Sequence, residues 1–157
     1  AYHRARIEPE SAAESAPFSD DLTERWRQGE TGFPLIDAAM RSLKLSGWLH
    51  PALRSLTAEF LCGVLHQPSE HGIVWFATQQ TDFDPALNEG NWQTAARNAR
   101  RCSIDIIQTA RRLDPDGTFV RRHIPELAHL PVNLVHTPWL ASSEIDAHGY
   151  PPPVVAP

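Results

Sequence analysis

From Pro34 to Val64 the apolar residues recur three and four apart, the spacing of a buried helix face. Leu35, Ala38, Ala39 and Leu43 make one stripe, with Pro34 suited to its first turn and Gly47 to its end. A second stripe, Leu53, Leu56, Phe60 and Val64, opens at His50-Pro51 and is apolar enough to be central in a core. A shorter helix is predicted over 21–28, opened by the acidic pair Asp20 and Asp21. Pro68-Ser69 breaks the second stripe, and Ser69 is expected to cap a helix through about Gln80. Residues 81–91 read as turn, with helices over about 92–101 and 103–112. Asp114-Pro-Asp-Gly117 signals another turn, followed by a short helix cut by Pro125. No alternating strand run and no internal repeat appear, so the predicted class is all-α. The expected organisation is a flexible arm over 1–20, a helical domain over 21–140 and a Pro-rich extended tail over 141–157, with "YPPPVVAP" loose.

A chain of 157 residues has room for one real core. Its 41% apolar and 21% charged content is globular, and no apolar run approaches the roughly 18 residues of a membrane span. Net charge is −5, from 14 basic and 19 acidic residues, which argues against indiscriminate binding to a nucleic-acid backbone. Lys44 apart, the basic residues are all arginine, the side chain suited to bidentate contacts. Cys62 and Cys102 read as reduced, buried thiols rather than a disulfide, which points to the cytoplasm. The chain opens on Ala without a signal peptide, as after processing or inside a longer polypeptide. The eight histidines show no metal-ligand spacing, so no metal site is expected. Neither a Gly-rich phosphate loop nor a nucleophile elbow occurs. Trp75 and Trp139 read as core aromatics.

Two stretches carry more than architecture. The corner after Gly47 gathers Trp48, His50 and Arg54, where a structural corner needs only Gly47 and Pro51. In "DFDPALNEGNW", Asp82 and Asp84 share one side of an extended backbone and can accept from a polar ligand or from Arg54. Its plain alternative is an Asp-rich loop capping a helix. Asn88 and Trp92, four apart, would stack an amide and an aromatic plane on one helix face, a pairing that suits a flat, redox-active heterocycle.

These stretches, "WRQGETGFPLIDAAMRSLKLSGWLHPALR" and "DFDPALNEGNWQ", resemble the C-terminal, all-helical FAD-binding domain of the DNA photolyase/cryptochrome family. "DPDGTFVRRHIPEL" and "VHTPW" extend the resemblance to about residues 24–155. The resemblance implies FAD as cofactor, held in a helical bowl. On that reading Trp48 and His50 belong to the flavin wall, and Arg54 pairs with Asp82 beside the isoalloxazine. Asp82, Phe83 and Asp84 contact the cofactor, Asn88 faces flavin N5, and Trp92 is the nearest electron donor.

The departures are as informative. His50-Pro51-Ala52 replaces the family's His-Asn-Arg and loses two groups that approach a DNA lesion. The second tryptophan of the family's electron-transfer chain falls on Ser69, so sustained photoreduction is expected to be poor. The third falls near Ala16, and Thr94 stands where an aromatic lines the lesion-facing wall. The α/β antenna domain and the helices that bind the FAD pyrophosphate have no counterpart here. The resemblance therefore implies a half bowl, completed by another protein chain or by a missing N-terminal half. Three functions follow: an FAD-binding module in light or redox response without efficient repair; half of a photolyase; or a flavin-free helical scaffold. DNA is the disfavoured partner.

Overall fold

The computed structural model describes residues 18–141 and 149–157, and among them the secondary structure is helical throughout. Helix α1 (Asp20–Gln28) starts where the Ser19 hydroxyl accepts from the Leu22 amide and ends at Gly29, left-handed at φ 68°. Helix α2 (Pro34–Ser46) has no side-chain cap of its own and ends at Gly47, φ 71°. Helix α3 (Pro51–Glu59) is capped by His50, whose Nδ1 accepts from the Ala52 amide at 3.1 Å. It runs on into one π turn, Phe60–Val64, a widening that the apolar spacing alone did not reveal. Helices α4 (Ser69–Gln79), α5 (Pro85–Arg101), α6 (Ile106–Leu113) and α7 (Thr118–His123) follow.

Helix α2 is the hub, packed on α1, α3 and α7, while α5 packs on α3 and α4. Residues 31–40 are all buried. The largest buried rings meet where α1, α4 and α5 converge: Trp26 lies 5.9 Å from Trp92 and 6.1 Å from Phe76 between ring centroids. Burying rings of this size stabilises the fold by about 2–3 kcal/mol each. Trp26 also donates its indole N–H to the Thr57 carbonyl at 3.1 Å, tying α1 to α3.

Several expectations need correction. Helix α5 begins at Pro85, not near 92: Asp84 caps it by accepting from the Leu87 amide at 2.9 Å, and Pro85 pre-sets its first turn. The turn-like Asn-Glu-Gly run is helical because Asn88 and Trp92 are buried, and that outweighs the cost of about 1 kcal/mol for Gly90. Ser69 caps nothing, since Pro68 occupies the cap position one place earlier. Helix α6 starts at Ile106, three residues late, because Asp105 caps it through the Gln108 amide. Cys102 is exposed and Cys62 half-buried; both are free thiols. Trp75 and Trp139 lie partly buried against the core rather than inside it. The first 17 residues of the expected arm lie outside the described residues, but Ser19 belongs to the helical body, and Phe18 stacks on His71 at 4.3 Å.

The tail departs furthest from expectation. It is extended but not loose. Tyr150 is buried and its hydroxyl donates to Asp37 Oδ2, while the Val154 amide donates to the Thr31 carbonyl at 2.9 Å. Gly32, φ 81°, lies so close to Pro152 that a Cβ there would sit 2.4 Å from its carbonyl oxygen. Fully buried Asp37 also accepts from the Thr31 amide (2.8 Å), the Thr31 hydroxyl (2.6 Å) and the Gly32 amide (2.9 Å). One carboxylate thus joins the α1–α2 turn to the tail. Burial pushes the Asp37 carboxyl above its ordinary range, against the pull of these donors. Burial and the neighbouring Asp37 charge raise the Tyr150 phenol in turn.

Candidate functional site: the α3–α4–α5 cleft

Gly47 places the start of α3 beside the turn that follows α4. Its carbonyl accepts from the Thr81 amide at 2.9 Å and the Thr81 hydroxyl at 3.2 Å, which holds that turn against the corner. Asp82 is thereby brought to Arg54, and the guanidinium Nη2 donates to Asp82 Oδ2 at 2.8 Å. Arg54 Nε donates to the Leu49 carbonyl, so the fork is anchored at both ends. Asp82 remains about half exposed, so the pair contributes less than about 1 kcal/mol to stability. Its value lies in presenting a fixed cation and anion at an opening.

That opening is a cavity of about 290 Å³. Pro51, Arg54, Ser55 and Ala58 line it from α3, Phe76 and Gln80 from α4 and its end, and Asp82 and Asp84 from the turn. Leu87, Asn88, Asn91 and Trp92 close it from α5. Among the expected site residues, Arg54, Asp82, Asp84, Asn88 and Trp92 therefore converge on one cavity. Asp84 also caps α5, so its plain role and its position at the site coexist.

Trp48, His50 and Phe83 do not line this cavity. Half-exposed Trp48 lies edge-on to His50 at 6.4 Å and beneath Arg54 at 6.0 Å, and His50 is spent on capping α3. The crowded corner thus has a local structural explanation that the sequence reading did not supply. Pro51, Ser55, Ala58, Phe76, Gln80, Leu87 and Asn91 were missed as lining residues. Helical spacing from Arg54 and from Asn88 gives three of them: Pro51 and Ala58 on α3 and Asn91 on α5. "DPDG" is architectural: both Asp114 carboxylate oxygens accept amides at the start of α7, from Phe119 and Val120. Among the described residues no group of three or more His, Cys, Asp or Glu could hold a metal, and no helix is long and apolar enough to cross a membrane.

The cleft's chemistry can be tested against a flavin nucleotide. Trp92 is 2% exposed and fixed edge-on to Phe76 at 5.2 Å, giving an apolar wall. Asn88 holds its amide by donating from Nδ2 to the Ile73 carbonyl at 3.2 Å. An aromatic wall, a fixed amide and an ion pair at the mouth fit a flat heterocycle with a polar edge. They do not fit a diphosphate: one guanidinium, already paired, faces two carboxylates. The cleft thus offers walls that suit the ring portion of a flavin nucleotide and no donor set that suits its phosphates.

Comparison with known proteins agrees with this chemistry. A family model described as the FAD binding domain of DNA photolyase matches residues 2–157. Cryptochrome-1 of Anopheles gambiae is 43% identical over 153 residues, covering 88% of this chain and 28% of that protein. A solved Synechocystis cryptochrome superposes with a TM-score of 0.83 at 35% identity, covering 89% of this chain and 32% of that one. An archaeal photolyase from Sulfolobus tokodaii, solved with two FAD molecules, gives 0.82 at 31% identity, over 91% of this chain and 33% of that one. The chain therefore spans about a third or less of the length of each of these relatives.

Proposed function

The chain belongs to the DNA photolyase/cryptochrome family, within the FAD-binding domain, and on that premise we propose that its α3–α4–α5 cleft is the flavin wall of a light- or redox-responsive module without efficient DNA repair. The observation that carries the reading is the convergence of Arg54, Asp82, Asp84, Asn88 and Trp92 on one cavity. Bound there, the flavin supplies a light-absorbing ring that accepts electrons. Arg54 and Asp82 orient its polar edge, Asn88 offers an amide toward N5, and Trp92 excludes water and is the electron-rich donor. Asp84 keeps the first turn of α5 in place beneath them.

Pro51 and Ala52 weigh against repair. Pro51 lines the cleft on its α3 side, and neither residue carries a side-chain donor for a phosphate or a flipped base. The phosphate donors come from a further part of the polypeptide or from a partner chain. The half-exposed Trp48 and the exposed Phe83 and Leu87 at this end of the molecule support such a covering surface. The cytoplasm is the compartment consistent with the two free thiols.

The test is titration of FAD into the protein, followed by flavin fluorescence quenching, beside binding to a thymine-dimer duplex. The reading predicts quenching by FAD that is weakened at least tenfold in Asp82→Ala, with no preference for the damaged duplex. Tight, damage-selective DNA binding would support the photolyase-half alternative instead. Absence of quenching, even with the covering part present, would leave a flavin-free scaffold.

A further inference from the structure

One turn of α4 sets the position of two cleft residues on α5. Gly72 lies directly under the Trp92 indole: a Cβ at this position would meet Cη2 at 2.0 Å, Cζ3 at 2.3 Å and Cζ2 at 2.5 Å. Those separations are far inside van der Waals contact, so no side chain fits while the indole keeps its place. The ring has little freedom to yield. Phe76 stands against it at 5.2 Å and Trp26 at 5.9 Å, both nearly perpendicular, and Trp92 is 2% exposed. Its free direction is the cavity it lines. The adjacent residue, Ile73, offers the carbonyl that accepts from Asn88 Nδ2, so the same turn holds the amide as well.

We propose that Gly72 is a positioning residue of the cleft: by leaving room for the indole, it fixes how far Trp92 stands back from the bound ring. Identifying that ring as a flavin rests on the reading above; the positioning does not. Gly72 has an ordinary helical φ, so the backbone does not require glycine here. An Ala in a helix interior with room to spare would raise thermal stability. A clash with a locked indole predicts the reverse.

The experiment compares Gly72→Ala, Trp92→Phe and the double variant. Phenylalanine lacks the Cη2, Cζ2 and Cζ3 atoms that crowd position 72. Near-UV circular dichroism of the flavin-free protein reports the packing of Trp92, and an FAD titration reports the cleft. Gly72→Ala is expected to change the near-UV spectrum with the far-UV spectrum intact, and to weaken FAD binding at least tenfold. In the Trp92→Phe background the same substitution should change affinity less than twofold. If Gly72→Ala fails to fold and the double variant folds, the clash is equally demonstrated. An unchanged near-UV spectrum, or equal damage in both backgrounds, overturns the proposal. If the parent protein binds no FAD, the near-UV comparison still decides the role of Gly72, and only the flavin reading fails.

Discussion

Replacing Tyr150 by Phe removes one hydroxyl and leaves the buried ring in place. That hydroxyl is one of four donors to Asp37, the others being the Thr31 amide, the Thr31 hydroxyl and the Gly32 amide. A hydrogen bond to a charged group is worth about 1.5–3 kcal/mol, and water cannot replace it at a site with 0% exposure. The expected loss is therefore about 2 kcal/mol, or roughly 4–8 °C in Tm for a chain of this length. Urea unfolding followed by far-UV circular dichroism reads the loss as a lower midpoint at unchanged slope.

The pH dependence follows from Asp37. Burial raises its carboxyl above the ordinary 3.8 in the folded state, so the folded protein takes up this proton before the unfolded chain does as pH falls. The contribution of Asp37 to stability is thus fully present below 3.8 and is lost as pH rises through the higher folded value. Once Asp37 is protonated, the Tyr150 hydroxyl faces a neutral acceptor and its bond weakens. The deficit of Tyr150→Phe should therefore shrink toward acid pH. A loss under about 0.5 kcal/mol at neutral pH, or a deficit that grows as pH falls, would refute the reasoning.

Other consequences are more local. Arg54→Ala should lower FAD affinity at least tenfold and cost about 2–3 kcal/mol of stability, chiefly through the lost Nε bond to the Leu49 carbonyl, because the half-exposed Asp82 pair adds little; paired titration and urea curves check both. Asp84→Ala should lose about 1 kcal/mol with its cap, whereas Asp84→Asn keeps the cap and isolates the charge at the cleft in an FAD titration. Burial pushes the Cys62 thiol up to about 11. Mass spectrometry after brief iodoacetamide treatment should therefore find Cys102 alkylated and Cys62 modified only after denaturation.

The helices that bury a regular stripe were legible in the sequence because α2 and α3 repeat apolar residues at helical spacing, with Gly47 closing α2 and Pro68 standing just past the π turn that ends α3. Helix α5 was misread at its start. Its first two turns expose nearly everything except Asn88, so no apolar period announces them, and Asp84-Pro85 serves turns and helix caps alike. The docked tail was illegible for another reason. Proline-rich extended chain makes no internal hydrogen bonds, and its anchor is a carboxylate 113 residues away. At the site, Arg54 and Asp82 were readable as a pair, but the cavity's other walls depend on how α3, α4 and α5 meet. Trp48 and His50 read as ligand groups in sequence; the structure adds a cap that employs His50 and ring contacts of Trp48, which are visible only in three dimensions.

The most direct test of the central claim is the visible absorption spectrum of the protein isolated from its native source with all attached parts retained. The account predicts a flavin spectrum, with FAD released on denaturation and lost from an Arg54→Ala, Asp82→Ala form. A colourless protein that takes up no added FAD would contradict it.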